Sequence, residues 1–463
     1  MIKIDKPVHE LAAMLRHGQL TSVALTQACI DKIREINPRL NAIVQLDAEG
    51  GLARAAEADA AAARGENWGP LHGVPFTIKD SFDTEGLIST WGTLGRKAFV
   101  PREDATVVKR IKSAGAILIG KSNTPEFTLS FETDNPVYGP TFNAYDHSRM
   151  PGGSSGGAVT AVATGAIPFD VGSDTGGSIR LPCHFSGVTG IKPTTGRVPK
   201  TGHCPGPGGL VGELTQIGPI TRSTADVALL LEIIAGPDGR DPYVYPVPMR
   251  SFQSIKVDQL NGAWFDDNGI YPAEPAMADV LRQVVEALSK MGGPLQEARP
   301  RGIEQTLELI GGVMRGWDGG SWVRMMLDRT GTKEADSSLS RYLDAPGFEP
   351  HETVSLFDRL DQFRTEMLSF WDTYDYLVCP PQAFPALKNG ELSDKFPGTS
   401  YTMSFNLTGW PAGVVRAGTS PEGLPLGIQV VAPPWREDIV LAVMAQIEKG
   451  FGGWQPLPTG TLS

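Results

Sequence analysis

Cysteine is scarce in this sequence, and basic charge is outnumbered by acidic charge. The four cysteines, Cys29, Cys183, Cys204 and Cys379, lie far apart and form no C-x-x-C pair. That spacing excludes a disulfide framework and a zinc knuckle, and reduced thiols in a cytoplasmic protein are expected. The 41 lysines and arginines are set against 52 acidic residues, for a net charge of −11. A nucleic acid or an anionic membrane needs a basic face, so neither is expected as a partner. A membrane span is missing as well. Met150 to Phe169 carries no charge, but its glycines, serines and two prolines make it too weakly apolar for hydrocarbon. The opening stretch MIKIDKPVHE has no signal-peptide apolar core. Asn406-Leu407-Thr408 fits a glycosylation sequon, which carries no meaning without secretion.

What is present is enough for a large core: 463 residues, 41% of them hydrophobic. Val8, Leu11, Ala12 and Leu15 line one side of a helix that Gly18 stops. A second helix starts at the caps Thr21 and Ser22 and is expected to end before Pro38. Leu52 to Arg64 is an alanine-rich helix. Short apolar runs then appear at Val74 to Ile78, Ala116 to Ile119 and Ile167 to Val171, each suited to a buried strand. Thr106 to Ala114 reads as a helix between two of them. Such alternation predicts an α/β layered fold. A Pro/Gly-rich connection at Gly236 to Pro248 leads to helices at Pro275 to Met291 and Ser355 to Trp371. Strands at Tyr376 to Val378, Ala412 to Val415 and Leu426 to Val431 follow, with a closing helix at Ile439 to Gly450.

Three glycine-rich motifs compete for a functional reading. Gly115 to Ser122, GAILIGKS, matches the phosphate-loop pattern letter for letter. That mechanism needs a flexible loop of backbone N–H groups, and Ala-Ile-Leu-Ile is a buried strand instead. Gly152 to Gly156, GGSSG, matches the nucleophile elbow of α/β-hydrolases. The elbow needs a preceding strand, for which HSRMP is poor, and a partner among His184, His203 and His351. In Asp174 to Arg180, DTGGSIR, two glycines precede Ser178 and could aim successive N–H groups at one point. The same stretch could equally be an ordinary turn.

A serine hydroxyl is a weak nucleophile until a base takes its proton. Lys79 ends the apolar run Val74 to Ile78, and a lysine desolvated there would lose its proton more readily. Asp80 next door would hold that proton on unless geometry separates the two.

Together, LHGVPFTIKD (Leu71–Asp80), PGGSSGGAVTAVATG (Pro151–Gly165), GSDTGGSIRLP (Gly172–Pro182) and GVTGIKPTTGRVP (Gly187–Pro199) resemble the amidase signature family of serine hydrolases. Weaker similarity runs through QIGPITRS, FNLTGWPAG and GLPLGIQVVAP. The resemblance implies a single large α/β/α layered domain over residues 1–463, its central mixed twisted sheet covered by helices on both faces. Within it the signature core would span about 65–235, a variable substrate-side segment about 250–370, and returning strands with the closing helix about 371–455. It also implies a Ser–Ser–Lys triad. Ser178 would be the nucleophile, and Ser154, after a cis peptide at Gly153, would bridge it to Lys79 as base. Backbone N–H groups of Thr175, Gly176, Gly177 and Ser178 would form an oxyanion hole. Ser155 would be supporting, Asp174 and Arg180 a structural pair, and Thr128 and Gly153 substrate contacts. No metal and no cofactor are implied.

The implied substrate is a small-molecule amide or carbamate, with aryl-acylamidase or urethanase activity favoured and possible action on esters. Two segments rich in Gly, Trp and Met are expected to line an open pocket: His203 to Leu214 and Ile310 to Leu327. An alternative within the family is an amidotransferase A-type subunit that releases ammonia from glutamine in a complex. That branch often has an acidic residue before Q-x-G-P, where this chain has Thr215. An esterase with a histidine-containing triad and a non-catalytic binding protein also stay open at this point, as does the oligomeric state.

Overall fold

The computed structural model describes residues 4–458 and 460–461; the first three residues of MIKIDKPVHE lie outside it. Helix α1 (Val8–Arg16) buries Val8, Leu11, Ala12 and Leu15 as the pattern predicts. Its first N–H groups have a capping partner distant in sequence: Val8 and His9 donate to the Asp226 carboxylate at 2.7 and 2.9 Å. Helix α2 (Ser22–Leu40) starts at the Thr21 cap but runs past its expected end, with Pro38 inside its last turn. A proline there removes only one N–H bond. The helix stops instead at Asn41, which is left-handed (φ 48°), while the Asn37 side chain accepts from Ala42 and Ile43 N–H. Helix α3 covers Ala48–Ala63, and α4 covers Thr106–Ser113.

Eleven strands follow among the described residues: β1 (Ile43–Leu46), β2 (Pro75–Lys79), β3 (Ile117–Ser122), β4 (Asp170–Asp174), β5 (Thr189–Lys192), β6 (Gln216–Thr221), β7 (Gly262–Trp264), β8 (Gln296–Glu297), β9 (Tyr376–Cys379), β10 (Ala412–Thr419) and β11 (Pro425–Val431). They pair as β1-β3-β2 and as β4-β6-β5-β10-β11-β9-β7-β8, with parallel and antiparallel neighbours mixed. The hydrogen-bonded ladder is thus interrupted between β2 and β4. A side-chain bond spans the gap, Thr77 Oγ1 donating to Asp170 Oδ2 at 2.5 Å.

Helices cover both faces of the larger sheet. Gly413 on β10 lies under Met444 and Val440 of the closing helix Glu437–Phe451, and Gly427 on β11 lies under His184 of helix Arg180–Ser186 on the other side. A Cβ at either glycine would push its helix away. The architecture is the expected α/β layered one. No helix among the described residues is long and apolar enough to cross a membrane.

Two expectations shift. The strand expected at Ile167 to Val171 starts later, at Asp170. Ile167 and Phe169 are core residues on the approach to it. The GAILIGKS stretch is a strand to its end, since Gly120, Lys121 and Ser122 all belong to β3. Lys121 is buried and donates to Phe82 O, Thr84 Oγ1 and Ser89 Oγ, so it cradles no phosphate.

Candidate active site

Lys79 is the last residue of β2 and is fully buried. Its Nζ lies 2.6 Å from Ser154 Oγ, 3.1 Å from Ser155 Oγ and 3.0 Å from Ser173 Oγ. Burial pushes the amine down to about 7, against the opposing pull of Asp174, Asp170 and Cys204. Asp80 does not reach it. It accepts from Thr90 N and Thr90 Oγ1 and lies 3.7 Å from Lys121, because successive strand residues point to opposite faces. Asp170 is a second buried acid that acts on Lys79 beside Asp174. Burial pushes its carboxyl up to about 7, opposed by the hydrogen bond from Thr77 and by the charge of Lys79.

Ser154 follows a cis peptide at Gly153 and precedes helix α5 (Gly156–Ala163). Gly153, expected to touch substrate, is buried against the Ser130 and Phe131 backbone, where a Cβ would come within 2.9 Å of Ser130 O. Close packing therefore accounts for that glycine.

Ser178 stands between β4 and helix α6 (Arg180–Ser186). It lines a cavity that opens to solvent. Its hydroxyl makes no hydrogen bond to Ser154 or Lys79, so the structure joins Lys79 to Ser154 and leaves Ser178 in the cavity lining. Catalytic hydrogen bonds are commonly long before substrate tightens them. Among the described residues, the backbone N–H groups of Gly176, Gly177 and Ser178 donate to no other protein group. Thr175 lines the cavity and its hydroxyl pairs with Thr215 at 2.8 Å. Gly177 has φ 140°, and a side chain there would strike Thr402, whose hydroxyl bonds Gly176 O at 2.7 Å. Thr402 thereby fixes the loop at Gly176 and Gly177.

Beneath the loop, all five guanidinium donors of buried Arg180 are used. They reach Asp174 Oδ2 (3.0 Å) and Oδ1 (2.9 Å), Asn406 Oδ1 (2.6 Å), Thr402 O (2.9 Å) and Gln429 Oε1 (2.8 Å). Burial alone would raise the Asp174 carboxyl; the charge and hydrogen bonds of Arg180 override it and hold the group at about 2. Arg180→Ala would leave that carboxylate buried and unpaired. Urea unfolding should show a loss of about 3–5 kcal/mol; a loss under about 1 kcal/mol would contradict this account.

The cavity walls are largely apolar, with Phe131, Ile310, Met314, Tyr342, Phe396 and Met403 among them. Of the two segments expected there, only the start of Ile310 to Leu327 contributes. His203 to Leu214 does not line it. His203 is buried against Phe82 and bonds Ser81 Oγ and Pro205 O, and Cys204 packs beside Phe127 and Leu129. The histidine-triad alternative also fails on position. His184 bonds Phe384 O and Gly427 N, His203 is held as described, and His351 is exposed.

Thr128 does line the cavity. Phe127 and Thr128 both have left-handed backbone, φ 50° and 62°, uncommon for such residues. Thr128 Oγ1 is buried with no hydrogen-bond partner.

Sequence reasoning missed Asp170, a polar position inside the run expected to be an apolar strand, and Ser173, which lies past that run's end at Val171. It also missed Phe131, Tyr342, Phe396 and Met403, which come from separate segments and share no local pattern. Among the described residues, no cluster of three His, Cys, Asp or Glu side chains is placed to hold a metal ion.

Comparison with known proteins shows the family. Residues 24–441 match the family model described as Amidase. The chain is 34% identical over 460 residues to an acylamidase of Rhodococcus erythropolis, covering 95% of this chain and 94% of that protein. It is also 34% identical over 475 residues to the A-type subunit of the glutamyl-tRNA(Gln) amidotransferase of Moorella thermoacetica, covering 95% and 96%. Among solved structures, a 6-aminohexanoate cyclic dimer hydrolase superposes with a TM-score of 0.87 at 25% identity over all of both chains. A bacterial aryl acylamidase gives 0.85 at 25% identity, covering 96% of each.

Proposed function

The chain belongs to the amidase signature family of C–N hydrolases, and we propose that it cleaves aryl or alkyl amides, anilides and carbamates through an acyl-enzyme on Ser178. The observation that carries this reading is the buried Lys79–Ser154 pair together with Ser178 in the lining of a largely apolar cavity.

In the proposed cycle, neutral Lys79 draws the Ser154 proton, and Ser154 draws that of Ser178. The Ser178 oxygen forms a bond to the carbonyl carbon, and the carbonyl π pair moves onto oxygen. The free N–H groups of Gly176, Gly177 and Ser178, with that of Thr175, face the developing charge. Each such donor is worth about 100- to 1000-fold in rate. Protonated Lys79 returns its proton through Ser154 to the leaving nitrogen, and water releases the acyl group by the same relay. Thr128, with an unpaired buried hydroxyl at the cavity wall, binds the acyl side.

Resemblance to amidotransferase subunits supports a second reading, ammonia release from glutamine in a complex. The largely apolar walls support the first, while Arg315 and Arg341, which also line the cavity, are the groups that would pair with a glutamine carboxylate under the second. A panel of anilides, carbamates, p-nitrophenyl esters and glutamine separates the two. The expected kcat/KM for an anilide or carbamate exceeds that for glutamine by at least about 100-fold. Glutamine turnover alone, or turnover only with added partner subunits, would favour the amidotransferase.

A further inference from the structure

We propose that Glu126 is a positioning residue for substrate selection: it clasps the segment 330–342 onto the Glu126–Thr128 turn and so sets the cavity wall that receives the acyl group. This rests on the acyl group lying against Thr128 in the proposed cycle. Glu126 is fully buried and does not line the cavity. Among the described residues it has no cationic partner. Its carboxyl joins two distant segments instead. Oε1 accepts from Thr93 Oγ1 at 2.6 Å, and Oε2 accepts from Asp336 N at 2.7 Å. Thr93 Oγ1 also pairs with Thr332 Oγ1 at 2.6 Å, and Thr332 Oγ1 accepts from Gly95 N at 3.1 Å. The seat is close, since a Cβ at Gly95 would run into Thr330 O.

Two short routes lead from this clasp to the cavity. On the segment, the Asp336 side chain accepts from Ser338 N at 2.8 Å and starts the turn Ser337–Leu339, which runs into the short helix Ser340–Leu343. That helix brings Arg341 and Tyr342 to the cavity wall. On the other side, Glu126 O accepts from Leu129 N at 3.1 Å, across Phe127 and Thr128. The routes meet at Leu129 O, which accepts from Arg341 Nη2 at 2.7 Å and from Tyr342 Oη at 3.2 Å. Phe127 packs with Val323, Met326, Leu339 and Tyr342 in a small apolar cluster. The left-handed backbone of Phe127 and Thr128 is thus held at both ends, and such backbone persists only where its surroundings hold it. That backbone places the unpartnered Thr128 hydroxyl at the cavity wall.

The reacting groups stand on other elements. Lys79 ends β2, Ser154 precedes α5, and the Ser178 loop is fixed by Thr402 and Arg180. Loosening the clasp should therefore move the wall and spare the chemistry. The clasp needs two hydrogen bonds rather than a charge, so glutamine can serve. Its oxygen accepts from Asp336 N, and its NH2 donates to Thr93, which then donates to Thr332. Alanine breaks both links.

The test compares wild type, Glu126→Ala, Glu126→Gln and Thr332→Val. Each is assayed on an acetyl and a phenylacetyl p-nitroanilide, and by the rate at which a small alkyl fluorophosphonate labels Ser178. In Glu126→Ala, KM for the phenylacetyl anilide should rise about 10-fold, with kcat within about threefold of wild type. The acetyl anilide kcat/KM and the labelling rate should both stay within about threefold. Glu126→Gln should match wild type within about threefold on every measure. Should Glu126→Ala fail to fold, Thr332→Val, which removes one hydroxyl of the clasp and keeps the side chain's shape, should raise the same KM by about threefold or more. A purely structural role would lower the melting temperature and the fraction of chain that labels, but would leave the phenylacetyl-to-acetyl ratio of kcat/KM at its wild-type value. That unchanged ratio, in each of Glu126→Ala and Thr332→Val that folds, would overturn the inference alone. So would a Glu126→Gln variant as impaired as the alanine one. A wild type that neither labels at Ser178 nor turns over either anilide would overturn the proposed function and the inference with it.

Discussion

Ser178→Ala is expected to lower kcat/KM on a model anilide by about 10⁴- to 10⁶-fold, the scale seen when a nucleophile that acts as one unit with its base is removed. Thr175 also lines the cavity beside the backbone N–H groups of Gly176, Gly177 and Ser178, but its hydroxyl is paired with Thr215 at 2.8 Å. Thr128 shares the cavity but lies on another segment, and Ser154 is already engaged with Lys79. The N–H groups survive the substitution, so residual activity above the uncatalysed rate should remain, about 10³-fold by analogy with other serine hydrolases stripped of their nucleophile. The melting temperature should stay within a few degrees of wild type, since the loop is fixed by Thr402 and by the Asp174–Arg180 pair rather than by the Ser178 hydroxyl. Intact mass after a fluorophosphonate should show one adduct on wild type and none on the variant. Turnover retained at the wild-type level, or an adduct on Ser154, would overturn the assignment.

How far the sequence led can be judged at particular residues. Lys79 was legible because an apolar run ending in a lysine is an unusual strand, and β2 does bury it. Ser154 and Ser178 were legible because glycines crowd both. Gly177 has a positive φ that explains one of them, and Gly153 a close backbone approach that explains another. Ser173 was not legible, because the apolar run that signals a strand begins at Ile167, ahead of the strand itself. A polar strand that faces a buried amine has no apolar pattern to reveal it. The cavity walls were the least legible part. Phe131, Met314, Tyr342 and Met403 lie far apart in sequence and converge only through the packing of the layers. Helix ends followed a similar rule. Val8 and His9 are capped by Asp226 from another helix, and no neighbouring residue signals it.

Lys79→Met should be nearly as damaging, lowering kcat/KM by about 10³- to 10⁴-fold on the alkaline plateau, because the relay loses its proton acceptor. Methionine matches the length and apolar body of the side chain, so the site keeps its packing. The pH dependence makes the prediction specific. Burial holds the wild-type amine at about 7, so the neutral form is the minority species in acid. Wild-type kcat/KM should therefore climb about tenfold per pH unit below that value and level off above it. In the variant the climb should vanish. Stability carries the same signature with its own sign. Between about pH 7 and the ordinary lysine value near 10.4, the unfolded chain holds a proton on this side chain that the native state has released. Wild-type stability gains from rising pH across that window, and the variant should lack this contribution. Below about pH 7 the native state must carry a buried ammonium that methionine spares it, so the variant should unfold at no lower urea concentration than wild type at about pH 6. Loss of activity together with undiminished stability is the result that separates a base from a structural lysine. Variant activity that still climbs with pH as wild type does would assign the titration to another group, and Lys79 would not be the base.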